Sequence, residues 1–204
     1  MTFMPEAHAP SRPEEYPDLI DLSVPDNSEL VRGRSVVLEA AWMLASALVM
    51  RPSWIPFSGL KCWLLRLFGA RIGRGVYIKP GVQIKFPWYL VIGDYSWIGE
   101  NSWIDNLAEV HIGQHCCISQ GVYLCTGNHD WSVRNMRLFR RPITLKRGSW
   151  VGARCFVGPG VTVHEYGIAT AGAVVVRDIP AFEIHAGNPA QYLKRRVIAG
   201  AERN

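Results

Sequence analysis

Residues 92–124 read IGDYSW-IGENSW-IDNLAEVH-IGQHCC-ISQGVY-L, with an aliphatic residue opening every group. Upstream, Ile72, Ile78 and Ile84 keep the same six-residue period, and Leu145, Val151, Val157, Val163, Ala169 and Val175 resume it downstream. Four positions after most of these comes a small or β-branched residue, among them Val76, Ser96, Ser102, Cys116, Val122, Cys155 and Ala173. A period of six suits neither an amphipathic helix nor an alternating strand of a meander. It suits a solenoid whose hexads each form one flat face of a triangular prism, aliphatic side chains pointing inward. Stacked coils then pair their backbones in parallel and bury continuous aliphatic columns.

The interruptions share one phase. Ile84 to Ile92 and Ile104 to Ile112 are spacings of eight, and Leu124 to Leu145 is far longer. All three follow the third hexad of a coil, so they leave the prism at the same edge. Residues 126–141 are therefore expected as a loop projecting from residues 71–178, the solenoid. Before it, residues 1–28 carry five prolines among polar and acidic residues and read as a poorly ordered tail. Residues 29–70 read as a helical segment. Residues 179–204 read as a terminal cap and helix, Asn188 and Pro189 supplying its N-cap and first turn.

Composition narrows the function classes. Of 204 residues 49% are hydrophobic and 19% charged, which excludes a disordered chain. The net charge of +5 suits an anionic partner, but no nucleic-acid recognition motif accompanies it. Five cysteines without a CxxC pair argue for reduced thiols in a cytoplasmic protein. No signal peptide is read at the N-terminus. Val36 to Met50 is the most apolar run, short for a bilayer span. A buried helix is the first reading of it; peripheral contact with the inner face of the membrane is the alternative.

Against this background Leu64-Leu65-Arg66-Leu67-Phe68-Gly69-Ala70, Pro87-Trp88, Ile118-Ser119-Gln120 and Cys125-Thr126-Gly127-Asn128-His129-Asp130 carry a resemblance. With the hexads and Ala186-Gly187-Asn188-Pro189-Ala190, they resemble the hexapeptide-repeat acyltransferases over roughly residues 30–198. The resemblance is narrowest to proteins named as colanic acid biosynthesis acetyltransferases, relatives of the galactoside, maltose and nodulation-factor O-acetyltransferases. It implies an all-β, left-handed parallel β-helix, a handedness the period itself does not give. It also implies a homotrimer with sites between prisms, and direct acetyl transfer from acetyl-CoA to a sugar or glycan hydroxyl in exopolysaccharide or related biosynthesis. N-acetylation of an amino sugar and a non-catalytic scaffold are the alternatives.

Acyl transfer to a hydroxyl needs a base, and a neutral imidazole suits that task. Taken alone, a loop histidine is usually just solvated; the matched motif makes His129 the expected catalytic base. Cys125, four residues earlier, invites a covalent Cys/His route, but it follows Leu124 in the wall. His111, His115, Cys116 and Cys117 look like a metal cluster as a string, yet Cys116 falls at an inward phase and His115 at an outward one. No metal is expected. The resemblance places acetyl-CoA against Ala153, Ala171, Val176, Arg177 and Lys194, where tight coil packing and solvated charge are the plainer readings. For the acceptor the candidates are Asp105 and Asn106, one coil before the loop, and Trp131 as a stacking surface. Each is as readily loop packing.

Overall fold

The computed structural model describes residues 19–199, so most of the expected tail and the last five residues lie outside the described residues. Two helices lead in, α1 (Val36–Val49) and α2 (Ser58–Leu67). Helix α1 starts where Ser35 caps it, its hydroxyl accepting the Leu38 amide proton. The helical expectation for residues 29–35 is not met; that segment runs extended along the prism, where the Trp88 indole donates to Arg32 O at 2.7 Å. Helix α2 plugs the open end of the prism. Its Ser58 hydroxyl donates to Val76 O and accepts from Ile78 N, taking up backbone groups that no earlier coil can pair.

The solenoid is the one the hexads predict. Its first coil holds β1 (Arg71–Ile72), β2 (Tyr77–Ile78) and β3 (Gln83–Ile84); its second, β4 (Leu90–Ile92), β5 (Trp97–Ile98) and β6 (Trp103–Asp105). The third holds β7 (Val110–Ile112), β8 (Cys117–Ile118) and β9 (Tyr123–Cys125), followed by a projecting pair, β10 (Gly127–His129) and β11 (Leu138–Arg140). The fourth and fifth hold β12 (Ile143–Leu145), β13 (Trp150–Val151), β14 (Phe156–Val157), β15 (Thr162–Val163), β16 (Ile168–Ala169) and β17 (Val174–Val175). Three parallel sheets result: a first face β1-β4-β7-β12-β15, a second through β2-β5-β8-β13-β16, and a third β3-β6-β9-β14-β17.

Register is in step with the period. Ile78 lies over Ile98 and Ile98 over Ile118, and Ile84, Ile104 and Leu124 form the matching column on the third face. These aliphatic side chains are buried, each contributing about 1.5–3 kcal/mol by leaving water. The small inward residues have a second task at the corners, where the ladder breaks. The Ser96 hydroxyl donates to Gly113 O at 2.7 Å and accepts from Cys116 N at 3.0 Å. Corner glycines are required by close approach: a Cβ on Gly93 would sit 2.6 Å from Gln114 N.

The expected C-terminal helix is absent. Residues 183–195 instead form β18 (Glu183–Ala186) and β19 (Gln191–Arg195), an antiparallel hairpin whose β18 pairs with β16. The reason is the unpaired edge of the last coil. Local Asn-Pro chemistry would start a helix, but an open edge strand gains more from a partner. Gly187, at φ +94, makes the turn that a helix start does not need.

Among the described residues Lys61 is the one charged side chain buried in the core. Its side chain is fully buried in α2 and its ammonium has no hydrogen-bond partner among the described residues. Desolvation lowers its pKa from the usual 10.5. The unfolded chain therefore holds that proton to higher pH than the folded one, and stability rises with pH through that window. Lys61→Met should stabilise the fold by about 1–3 kcal/mol and remove that rise, as read by thermal melts across alkaline pH.

Candidate active site

The projecting segment is a hairpin. β10 and β11 pair antiparallel, His129 opposite Leu138 and Gly127 opposite Arg140. It is anchored below by Thr126, whose buried hydroxyl donates to Asp105 O and accepts from Ala108 N. It is held above by residues 21–29, which no sequence signal indicated. Asp21 N donates to Arg134 O, Leu138 N donates to Asp26 O, and Glu29 accepts from both Arg140 N and the Arg141 guanidinium. The hairpin is thus clamped between the prism edge and a strap from the chain's beginning.

His129 is exposed at the end of β10, and its ring orientation is fixed. Nδ1 lies 2.6 Å from the Met136 carbonyl oxygen. A carbonyl can only accept, so Nδ1 carries the proton and Nε2 presents its lone pair. Met136 takes φ +45, a left-handed value uncommon for a side-chain-bearing residue, which turns its carbonyl onto the imidazole. Asp130 does not share this task. Its carboxylate accepts from the Ser132 hydroxyl and amide, and those bonds hold it below the usual carboxylate range.

Beside His129 is an open cleft of about 500 Å³. One wall is prism: Lys85, Asp105, Tyr123 and Cys125. The other is strap and helix: Asn27, Leu30, Arg32 and Glu39. Asp105 anchors the polar network, with the Lys85 ammonium 3.2 Å from Oδ1 and the Tyr123 hydroxyl donating to Oδ2 at 3.2 Å. Burial, then the hydrogen bond with Cys125, pushes the Tyr123 phenol up, so it stays a donor. Arg32 and Glu39 pair at 2.9 Å on the opposite wall. The cleft therefore combines balanced charge with many hydrogen-bonding groups. A smaller recess of about 280 Å³ adjoins it through Asn27 and His129.

Of the expected acceptor residues only Asp105 reaches this cleft. Asn106 is fully buried and spends its amide on both backbone groups of Phe86, at 2.9 and 2.6 Å. It is a structural rung. Trp131 is 81% exposed in the hairpin turn and does not line the cleft. Lys85, Tyr123 and Cys125 were within reach of the period: Lys85, Asp105 and Cys125 each follow the third inward residue of their coils and stack at one corner. Asn27, Arg32 and the Met136 carbonyl had no such signal.

The remaining candidates divide between edges. Ala153 and Ala171 sit on the turns from the second face to the third, while Val176 and Arg177 follow β17 on the edge that bears the His129 hairpin. Lys194 is exposed on β19. One chain does not gather these five into a single cleft. The string His111, His115, Cys116 and Cys117 also diverges: Cys116 is buried against Ser149, and His115 stacks on Tyr95 with ring centroids 5.4 Å apart. Among the described residues no group of three or more His, Cys, Asp and Glu residues could hold a metal ion.

No family model matches the chain. It is 37% identical over 182 residues to a protein of Escherichia coli strain K12 named "Putative colanic acid biosynthesis acetyltransferase WcaF", covering 88% of this chain and 97% of that one. The chain belongs to the hexapeptide-repeat acetyltransferases. Within this family it is also 32% identical over 159 residues to nodulation protein L of Rhizobium leguminosarum, 76% of this chain and 82% of that one. The fold matches a hexapeptide-repeat acetyltransferase of Vibrio cholerae with TM-score 0.70 at 24% identity, over 79% of this chain and 93% of that one.

In this hexapeptide-repeat acetyltransferase the thiols divide by depth. Burial pushes Cys62, Cys116 and Cys155 up, so few thiolates form there. Iodoacetamide at mildly alkaline pH should leave these three unmodified in the native protein and label all three after denaturation, as read by peptide mass spectrometry.

Proposed function

We propose that this enzyme transfers the acetyl group of acetyl-CoA to a hydroxyl of a sugar or glycan, with His129 as general base. The observation carrying the proposal is the fixed tautomer: the Met136 carbonyl holds the Nδ1 proton, so Nε2 faces an acceptor as a base. As the acceptor oxygen attacks the thioester carbonyl, Nε2 takes the hydroxyl proton. The tetrahedral oxyanion then collapses, the C–S bond breaks, and the imidazolium returns a proton to the departing CoA thiolate. The Met136 carbonyl, a fixed negative dipole on Nδ1–H, stabilises the imidazolium in between.

The cleft suits a polyhydroxylated acceptor. Asp105 and Glu39 accept hydrogen bonds, Asn27, Lys85 and Arg32 donate them, and the charges of these walls balance. A ligand without net charge meets no uncompensated field there. A hexapeptide-repeat acetyltransferase of Vibrio cholerae solved in complex with acetyl coenzyme A shares the fold, TM-score 0.71 at 23% identity. In this chain the turn at Ala171 and Gly172 leaves open space: a Cβ at Gly172 would meet nothing within 4 Å. An extended pantetheine arm could lie on that backbone, and Arg177 and Lys194 offer exposed cations for phosphates. Because the two candidate edges flank the third face, we propose that neighbouring copies of a homotrimer each supply one edge of a donor site. The outward column Tyr77, Trp97 and Trp150 on the second face, all substantially exposed, supports such an assembly.

His129→Ala should bind acetyl-CoA like the parent, by calorimetry, and lose about a hundred- to ten-thousandfold in turnover. Near-parental turnover would remove the base assignment. Cys125→Ala separates the covalent route, since direct transfer predicts turnover within a few-fold of the parent and an acyl-cysteine route predicts none. Comparing a hydroxy sugar with its amino analogue decides between O- and N-acetylation.

A further inference from the structure

The outward face of α1 is wholly apolar. Val37, Ala40, Ala41, Leu44, Ala47 and Leu48 recur at helical spacing, all exposed, with Val37 at 80% and Leu44 at 65%. The polar members of the helix, Glu39 and Ser46, point the other way, toward Arg32 and the core. This inverts the usual surface helix, whose charges face solvent. The feature continues past the helix, through Trp54 (77% exposed), Phe57 and the outward residues Leu60, Trp63 and Leu67 of α2. Such a patch implies a cover.

Charge says what covers it. Between Ala40 and Gly93 there is no Asp or Glu, and the exposed cations Arg51 and Arg66 stand beside the patch, whereas Lys61 is buried and Arg71, Arg74, Lys79 and Lys85 pair with acids of the solenoid. The exposed charge beside the apolar surface is therefore basic. A second copy of the same face would bring like charge against like. An anionic lipid surface offers apolar depth and negative headgroups together. Tryptophans suit that boundary, and Arg34 and Arg51 bracket α1 at its two ends. At 14 residues α1 spans about 21 Å, less than a bilayer core of about 30 Å. No described helix is long and apolar enough to cross a membrane.

We propose that α1, the Trp54–Phe57 turn and the outer side of α2 form a docking surface that lies in the plane of an anionic membrane. The test is flotation of the full-length protein with vesicles of phosphatidylcholine alone and of phosphatidylcholine with phosphatidylglycerol at about three to one. Binding should favour the anionic vesicles and weaken with added salt. The double variant Leu44→Gln/Leu48→Gln should lose about tenfold or more in partition, with its melting temperature and oligomeric mass unchanged because both side chains point outward. Trp54→Ser/Trp63→Ser should act in the same direction. Parental protein that floats with neither vesicle overturns the proposal. So does a folded double variant that floats as well as the parent, or one whose oligomeric mass falls, which would assign the patch to self-association.

Discussion

Stacking coils on a triangular path requires that every third turn bring the chain back over itself, 18 or 20 residues on where no long loop intervenes, with the same side chain pointing in. Ile78 over Ile98 over Ile118 satisfies this, as does Ile84 over Ile104 over Leu124. The columns fix register, because a slip of one residue would send each aliphatic side chain into water and its polar neighbour inward. With register fixed, the outward residues of successive coils are superposed as well. The polar corner of Lys85, Asp105 and Cys125, and the aromatic stack of Trp103 on Tyr123 at 4.5 Å, follow from that superposition.

The reacting group is placed differently. His129 belongs to no column. It stands on a hairpin that leaves the wall at Thr126, and its precision comes from three contacts of different kinds: a buried hydroxyl below, the Met136 carbonyl on the ring, and the strap at residues 21–29. Rigidity is supplied by the prism and orientation by local turn chemistry. Asp130, the carboxylate nearest in sequence, stabilises the turn through Ser132 and leaves the imidazole to a neutral dipole.

What could be read in the sequence was whatever repeats. The inward series from Ile72 to Val175 and the edge bearing the insertions are both found where the period places them. Legibility failed where long-range pairing overrode local propensity. Asn188-Pro189 has the chemistry of a helix start, yet the free edge of β16 takes residues 183–186 as a further strand. Asn106 looked like a ligand for the acceptor because it is polar and close to the loop, and its amide instead satisfies Phe86. The strap was invisible for a related reason. Its bonds to the hairpin join residues more than a hundred positions apart, largely through backbone groups, which carry no residue-specific signature.

The hairpin's exit between two coils also decouples two kinds of change. Ile143 to Leu145 resume the first face directly beside Val110 to Ile112, as though nothing intervened. Residues can therefore be added to or removed from the turn at Trp131 to Asn135 without moving any inward side chain. The solenoid acts as a fixed rack, and the recess beside His129 that Asn135 lines is an adjustable fitting on it.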